Sequence, residues 1–274
     1  MATVAVPFAP GVRPARALLT GLVAVWFALP FLPLVLWMFA DQWSFPSVFP
    51  THWGTEGISS ALAQGAAPAF ARSVLLSVLV AAIATPLGAL AARALVYRWA
   101  PLPKTLTAML FAPVLIPPLA ATFGANVLIL RAQIPALVGL VIVLVAIALP
   151  YTTFSMRVAY AAHDIGFEEQ ARTLGASRAR VLWRVHVPLL APALARSAFL
   201  AFLVAWSDYI VTVIVGAGQV VTLPLVTASV ASGVGGDATV AVLSMVAVLP
   251  PIVLLLLLAT GGGVPGRRAR WTAR

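Results

Sequence analysis

Six stretches of this chain, at about 17–40, 73–97, 105–130, 136–157, 192–216 and 240–260, are apolar over the roughly 20 residues that a helix needs to cross about 30 Å of hydrocarbon. In lipid the backbone polar groups of such a stretch find no partner outside the segment, so they must be satisfied within it. Helices do this, and these Leu/Ala/Val-rich runs are far longer than the tilted strands of a barrel. The expected fold is an all-α integral membrane domain, residues 1–274, with six transmembrane helices. Composition agrees: 9% of residues are charged, against about 25% in soluble domains. Arg13 and Arg16 ahead of the first run resemble the start of a signal peptide, but the run from Ala17 to Ala40 is too long for one and lacks a small-x-small cleavage site. A retained helix is expected.

Lys and Arg set the orientation. With the amino terminus in the cytoplasm, Arg13, Arg16, Arg93, Arg98, Lys104, Arg157, Arg172, Arg178, Arg180, Arg184, Arg196, Arg267, Arg268, Arg270 and Arg274 fall inside and only Arg72 and Arg131 outside. That bias follows the positive-inside rule, and six spans return the carboxyl terminus to the cytoplasm. The net charge of +10 therefore reads as topology rather than nucleic-acid binding, because the basic residues flank apolar runs without interleaved aromatics. The chain has no cysteine, hence no disulfide and no thiolate chemistry.

Two outer loops differ in kind. Residues 41–72 mix turn formers with Trp43, Phe45 and Trp53, which suits a short amphipathic segment at the surface. Residues 217–239, rich in glycine and without Lys or Arg, are expected to be flexible. Prolines should kink or break the spans; membrane helices tolerate this in general, and Ala112-Pro113 to Ile116-Pro117-Pro118 is the foremost candidate for a kink that opens around a pathway.

Between the fourth and fifth runs lies a charged island, 163–190. Its residues predict two short helices and a hinge. Asp164 caps the first helix, Glu168 and Arg172 pair four apart on one face, and Gly175 stops it in the left-handed conformation. Ser177 caps a second helix from Arg178, and Pro188 ends it by pushing Val187 toward an extended conformation. A solvated loop obeying the charge bias would account for the arginines but not for this ordering.

Glu169-Gln170-Ala171, then Gly175, then Val185-His186-Val187-Pro188 resemble the EAA loop of permease subunits of binding-protein-dependent ABC importers. Gln170 stands where that pattern has alanine, and Val185 and Val187 where it has Ile and Leu. Similarity extends over about 70–260, including Leu189-Leu190-Ala191-Pro192, the Trp206-Ser207-Asp208-Tyr209 stretch, and Arg72-Ser73 in place of the usual Asn-Ser. The resemblance implies a type I importer permease fold, amino and carboxyl termini inside, in a multi-pass prokaryotic plasma (inner) membrane protein. It implies that the loop forms a coupling helix docking on a cytoplasmic ATP-binding subunit, with Glu169, Ala171 and Gly175 at the interface and Glu168, Arg172 and Arg178 on its rim. It also implies a second permease subunit, identical or related, and an extracytoplasmic solute-binding protein. The chain has no Gly-x-x-x-x-Gly-Lys-Ser/Thr loop, so ATP hydrolysis is assigned to a partner and no cofactor or catalytic residue is expected here.

Asp208 is the acidic residue inside a span, where charge normally faces a cavity or a partner. With Trp206, Ser207 and Tyr209 it is read as lining the translocation pathway, against a plain helix-packing role. His52, His163 and His186 share no metal-ligand spacing, so no metal is expected. An integral membrane enzyme is the alternative from another class, and it would need a polar constellation that these residues do not form. The solute resembles, weakly, that of the polyamine, iron and thiamine branch, with a sugar as the alternative.

Overall fold

A computed structural model describes residues 12–43 and 46–261, and the side chains of 17–43 and 46–260. Arg13, Arg16 and the four carboxyl-terminal arginines that bear on orientation, and Phe45 of the outer loop, lie outside the described side chains. The helices are α1 (Val12–Ala28), α2 (Phe31–Met38), α3 (Glu56–Ala63), α4 (Ala66–Val96), α5 (Pro103–Leu115), α6 (Pro118–Arg131), α7 (Ala136–Ala161), α8 (Gly166–Thr173), α9 (Arg178–Val181), α10 (Val187–Trp206), α11 (Ile210–Gly216), α12 (Leu223–Ala231) and α13 (Asp237–Gly261). A π-helical turn, Leu182–His186, joins α9 to α10. Two compact units divide the chain, one of residues up to Gln64 with Val230–Val246, the other of Gly65–Ser229 with the residues from Ala247.

Among the described residues, four helices are each long and apolar enough to cross a membrane: Ala66–Val96, Ala136–Ala161, Arg178–Trp206 and Asp237–Thr260. The count rises to six if two bent pairs are each one span. Ala17–Ala28 and Phe31–Met38 meet at 43°, whereas Pro103–Leu115 and Pro118–Arg131 meet at 108°. The apolar stretch 105–130 is thus no straight crossing. Pro117 drives Ile116 into the extended region (φ −88°, ψ 135°), and Pro118 then opens α6, where its missing N–H costs nothing. The stretch 192–216 is also redrawn, because its helix starts far earlier, at Arg178, and breaks after Trp206.

In the larger unit α4, α7 and α10 pack on one another. The face of α4 that they cover is built of small residues: Ala69, Ser73, Ser77, Ala81, Ala84, Gly88 and Ala92 are buried at helical spacing. Small side chains let helices approach closely in lipid, where burial of apolar area gives little drive for association. At Gly88 a Cβ would collide with Thr152 of α7, so this crossing requires glycine. Large apolar side chains point the other way, Leu75 and Leu90 among them, into the solvent that a bilayer provides.

The outer segment 217–239, expected to be flexible, carries α12 instead. Leu223 and Val226 are buried, and the Leu223 amide donates to the buried Ser73 hydroxyl at 2.8 Å. Its apolar Leu-Pro-Leu-Val run outweighs the flanking glycines. In the smaller unit, Ala40–Gln42 and His52–Trp53 form a short antiparallel pair, and the Asp41 carboxylate accepts from the Glu56 amide (3.0 Å) where α3 begins.

Candidate ATPase-coupling site

The loop after α7 forms as its residues dictate. The Asp164 carboxylate accepts from the Gly166 amide at 2.8 Å and so satisfies a donor at the start of α8. Gly175 closes the helix at φ +84°, with the Gly175 amide donating to Arg172 O (3.0 Å) and the Ala176 amide to Ala171 O (3.1 Å). This is the paired closure in which a left-handed residue satisfies two orphan carbonyls. The Ser177 hydroxyl then accepts from the Arg180 amide at 3.4 Å.

Pro188 does not end the second helix. Val187 is helical (φ −61°, ψ −47°), and the chain runs from Arg178 to Trp206 as one 29-residue rod. The turn ahead of the proline widens into a π-turn, in which the Val187 amide donates to Leu182 O. A proline lacks an N–H and crowds the preceding turn, and a π-turn absorbs such a fault without a break.

Glu168 is also redrawn. It is not on a solvated rim, and it does not pair with Arg172: it is buried, 6% exposed, while Arg172 is exposed. Its Oε2 accepts from Arg93 Nη2 at the end of α4 (2.5 Å), and its Oε1 meets His186 Nδ1 of the π-turn at 2.6 Å. His186 Nε2 in turn lies 2.9 Å from the Tyr160 hydroxyl of α7. Burial alone would raise the Glu168 carboxyl, but the His186 hydrogen bond and the Arg93 guanidinium outweigh it and hold it below the ordinary carboxylate range. An ionised carboxylate only accepts, so His186 donates through Nδ1–H and, when neutral, its Nε2 accepts from Tyr160. The Arg93 guanidinium is steadied further by Trp99, whose ring centroid lies 5.1 Å away.

His163 completes the cluster, its Nε2 buried without a hydrogen bond and 3.4 Å from Glu168 Oε1. Sequence spacing gave no reason to join the two histidines, yet the fold gathers His163, Glu168 and His186 into a set with metal-ligand donor types. The bonding disfavours a cation there. The Nδ1 of His186 carries the proton donated to Glu168, and a divalent ion would sit beside the Arg93 guanidinium.

Most of the other residues expected at the ATPase contact face outward. Glu169, Arg172, Gly175 and Arg178 are exposed, and Ala171 is half-buried. Sequence reasoning passed over the apolar groups beside them: Leu174 is 89% exposed, Trp183 69% and Phe167 54%. Phe167 and Leu174 are large apolar side chains exposed on the otherwise polar α8 segment, and Trp183 is exposed in the π-turn. The signal was present as large apolar residues out of register with any buried face.

The Trp206–Tyr209 stretch lies at the break between α10 and α11. Trp206 is buried, stacked on Phe202 (5.6 Å between centroids), with its indole N–H donating to Ala247 O at 2.9 Å. Asp208 is half-buried, and its carboxylate accepts from the amides of Val211 (3.3 Å) and Thr212 (2.9 Å). Ser207 and Tyr209 are exposed.

A sequence model of the family described as binding-protein-dependent transport system inner membrane component matches residues 84–261. A putative ABC transporter permease protein, ORF1, of Streptomyces antibioticus is 41% identical over 76 residues, 28% of this chain and 33% of that protein. The diacetylchitobiose uptake system permease protein DasC of Streptomyces coelicolor is 33% identical over 141 residues, 48% of this chain and 51% of that protein. The chain thus spans about half or less of the length of these relatives. In fold it is similar to a chain of a bacterial ABC transporter involved in the import of the acidic polysaccharide alginate, with a TM-score of 0.72 and 16% identity over 93% of this chain and 99% of the other.

Proposed function

The chain belongs to the binding-protein-dependent transport system inner membrane component family, and from that premise we propose that it forms half of the solute pathway of an ATP-driven importer. A second permease subunit completes the pathway, an extracytoplasmic binding protein delivers the solute, and a cytoplasmic ATPase docks on the loop 163–190. The membrane is the plasma membrane of a prokaryote, with both termini inside.

The observation that carries the reading is the surface around Gly175. Leu174 and Phe167 are exposed apolar side chains on the same short segment as the exposed Glu169 and Arg172, and Arg178 and Trp183 are exposed just after it. Apolar anchors ringed by charge are what a specific interface uses. In this reading Glu169, Ala171 and Gly175 contact the ATPase, with Arg172 and Arg178 at the edge. A rigid rod from Arg178 to Trp206 carries a shift of that contact into the membrane, where repacking of helices opens one face and closes the other. Ser207 and Tyr209 face the pathway, while Trp206 and Asp208 hold the break that presents them.

For the solute, carbohydrates come first, because the relative DasC is named for diacetylchitobiose uptake and the structural neighbour for alginate import. Polyamines, iron and thiamine come second. The compact form, the short external loops and the Trp206–Tyr209 stretch speak for them, but within that stretch Asp208 is engaged as a cap rather than free as a counter-ion.

The test is reconstitution of the chain with its ATPase, second permease subunit and binding protein in liposomes. Solute-dependent ATP hydrolysis with uptake is expected. A chain that retains no ATPase, or turns over a substrate unaided, would support the membrane-enzyme alternative.

A further inference from the structure

The two oxygens of Glu168 are divided between different helices. One is held by Arg93 of α4 and the other by His186 of the π-turn, which in turn reaches Tyr160 of α7. The cluster is otherwise walled by apolar and aromatic groups: Ala89, Ala92, Met156 and Leu190 form the buried core beside Tyr160, and Tyr97 packs edge-on to Tyr160. Among the described residues, the charged and titratable groups that face it are Arg93, His163, His186, Tyr97 and Tyr160. The α8 helix has few other ties, since its remaining polar side chains are exposed or bonded within the loop.

We propose that Glu168 is the positioning residue that fastens α8 to the three-helix core, so that a push on the loop moves α4, α7 and α10 together. This rests on the reading of the loop as the ATPase contact and deepens it: Glu169 and Leu174 face the partner, and Glu168 faces the spans. The rod Arg178–Trp206 leads movement into α10 directly, and Glu168 gives α8 ties of its own to the core. The Arg93 bond adds α4 and the His186–Tyr160 bond adds α7. The fastening stays closed through the cycle, because an opened one would leave Glu168 and Arg93 uncompensated in a poorly hydrated site.

The experiment uses the purified complex of this chain with its ATPase and second permease subunit. Glu168→Gln is near-isosteric, and Arg93→Gln removes the other charge. Each is expected to keep the ATPase bound while uptake per ATP hydrolysed falls about tenfold, and the double variant should be no worse than either alone, as for two residues of one unit. Because the chain has no cysteine, Arg93→Cys with Glu168→Cys gives a clean pair. A bifunctional methanethiosulfonate linker across that pair should restore coupling that the unlinked pair lacks. Recovery on linking is a readout that lost folding would not give.

Unchanged coupling in both Gln variants, or linked pairs that transport no better than unlinked ones, would overturn the proposal. Leu174→Asp separates this from the parent reading, for it should release the ATPase. If Leu174→Asp releases the ATPase while Glu168→Gln behaves as the unsubstituted protein, the docking surface stands and the fastening falls. If Leu174→Asp retains the ATPase, the docking surface falls, and the fastening falls with it.

Discussion

Asp208 and Thr212 are joined twice, the carboxylate accepting from both the amide and the hydroxyl of Thr212 at 2.9 Å. A charge inside a membrane protein thereby serves the backbone. The helix that stops at Trp206 leaves the next turn with unpaired donors, and Asp208 satisfies two of them. Removing the carboxylate in Asp208→Ala should cost about 1 kcal/mol and lower the melting temperature in detergent. Asp208→Asn keeps an acceptor and should retain most of that stability with unchanged solute preference. An Asn variant with normal melting and altered solute preference would return Asp208 to the pathway.

Glycine 88 and glycine 124 should respond oppositely to alanine. A Cβ at Gly88 meets the Thr152 side chain and backbone, whereas a Cβ at Gly124 meets nothing within 4 Å. Gly88→Ala should force α4 and α7 apart and cost on the order of 2 kcal/mol, as overpacking does. Gly124→Ala should be neutral or slightly stabilising, because alanine is the better helix former and its methyl meets nothing. Thermal unfolding of the two variants side by side checks the pair, and equal melting points would remove the close crossing.

Much of this was legible in the sequence because it is local. Gly175, Ser177 and Asp164 act on donors and acceptors within a few residues, so spacing alone located the left-handed turn at Gly175, the Ser177 cap and the Asp164 turn just ahead of α8. The break at Pro117 was legible for the same reason. Glu168 was misread because its partners lie 75 and 18 residues away and the nearer Arg172 satisfied a helix-pairing rule. Burial outweighed that pairing: the Arg93 and His186 contacts are shielded, whereas an exposed pair with Arg172 contributes little. The roles of Trp206 and Pro188 were hidden similarly, since a tryptophan hydrogen-bonded to Ala247 and a proline housed by a π-turn depend on tertiary contacts.

Gly175 isolates a purely conformational cost. Nothing lies within 4 Å of a Cβ there, so Gly175→Val strains only the backbone at φ +84°. The expected loss is about 1–2 kcal/mol, and Gly175→Asn should lose less, since asparagine tolerates the left-handed region. The local cost should appear as faster proteolysis between Thr173 and Arg178 and weaker retention of the ATPase, with membrane insertion unchanged. Wild-type protection in Gly175→Val would show that the loop does not need the closure.

Acid should loosen the loop through Glu168 and not through Glu169. The folded-state carboxyl of Glu168 is held below its ordinary value, so its stabilising contribution is fully present above the usual carboxylate pKa of about 4.3. It is lost as pH falls through the lower folded value, because the protonated acid no longer pairs with Arg93. Deuterium exchange of residues 166–174 should therefore rise steeply only below about pH 4 in the unsubstituted protein. Comparison of Glu168→Gln with the parent tests the carboxyl itself. The Gln variant should exchange faster at neutral pH and show no further acid step of this origin. Glu169→Gln, altered at an exposed position, should keep the parent's profile. An acid step that persists in Glu168→Gln, or vanishes in Glu169→Gln, would place the anchoring charge elsewhere in the loop.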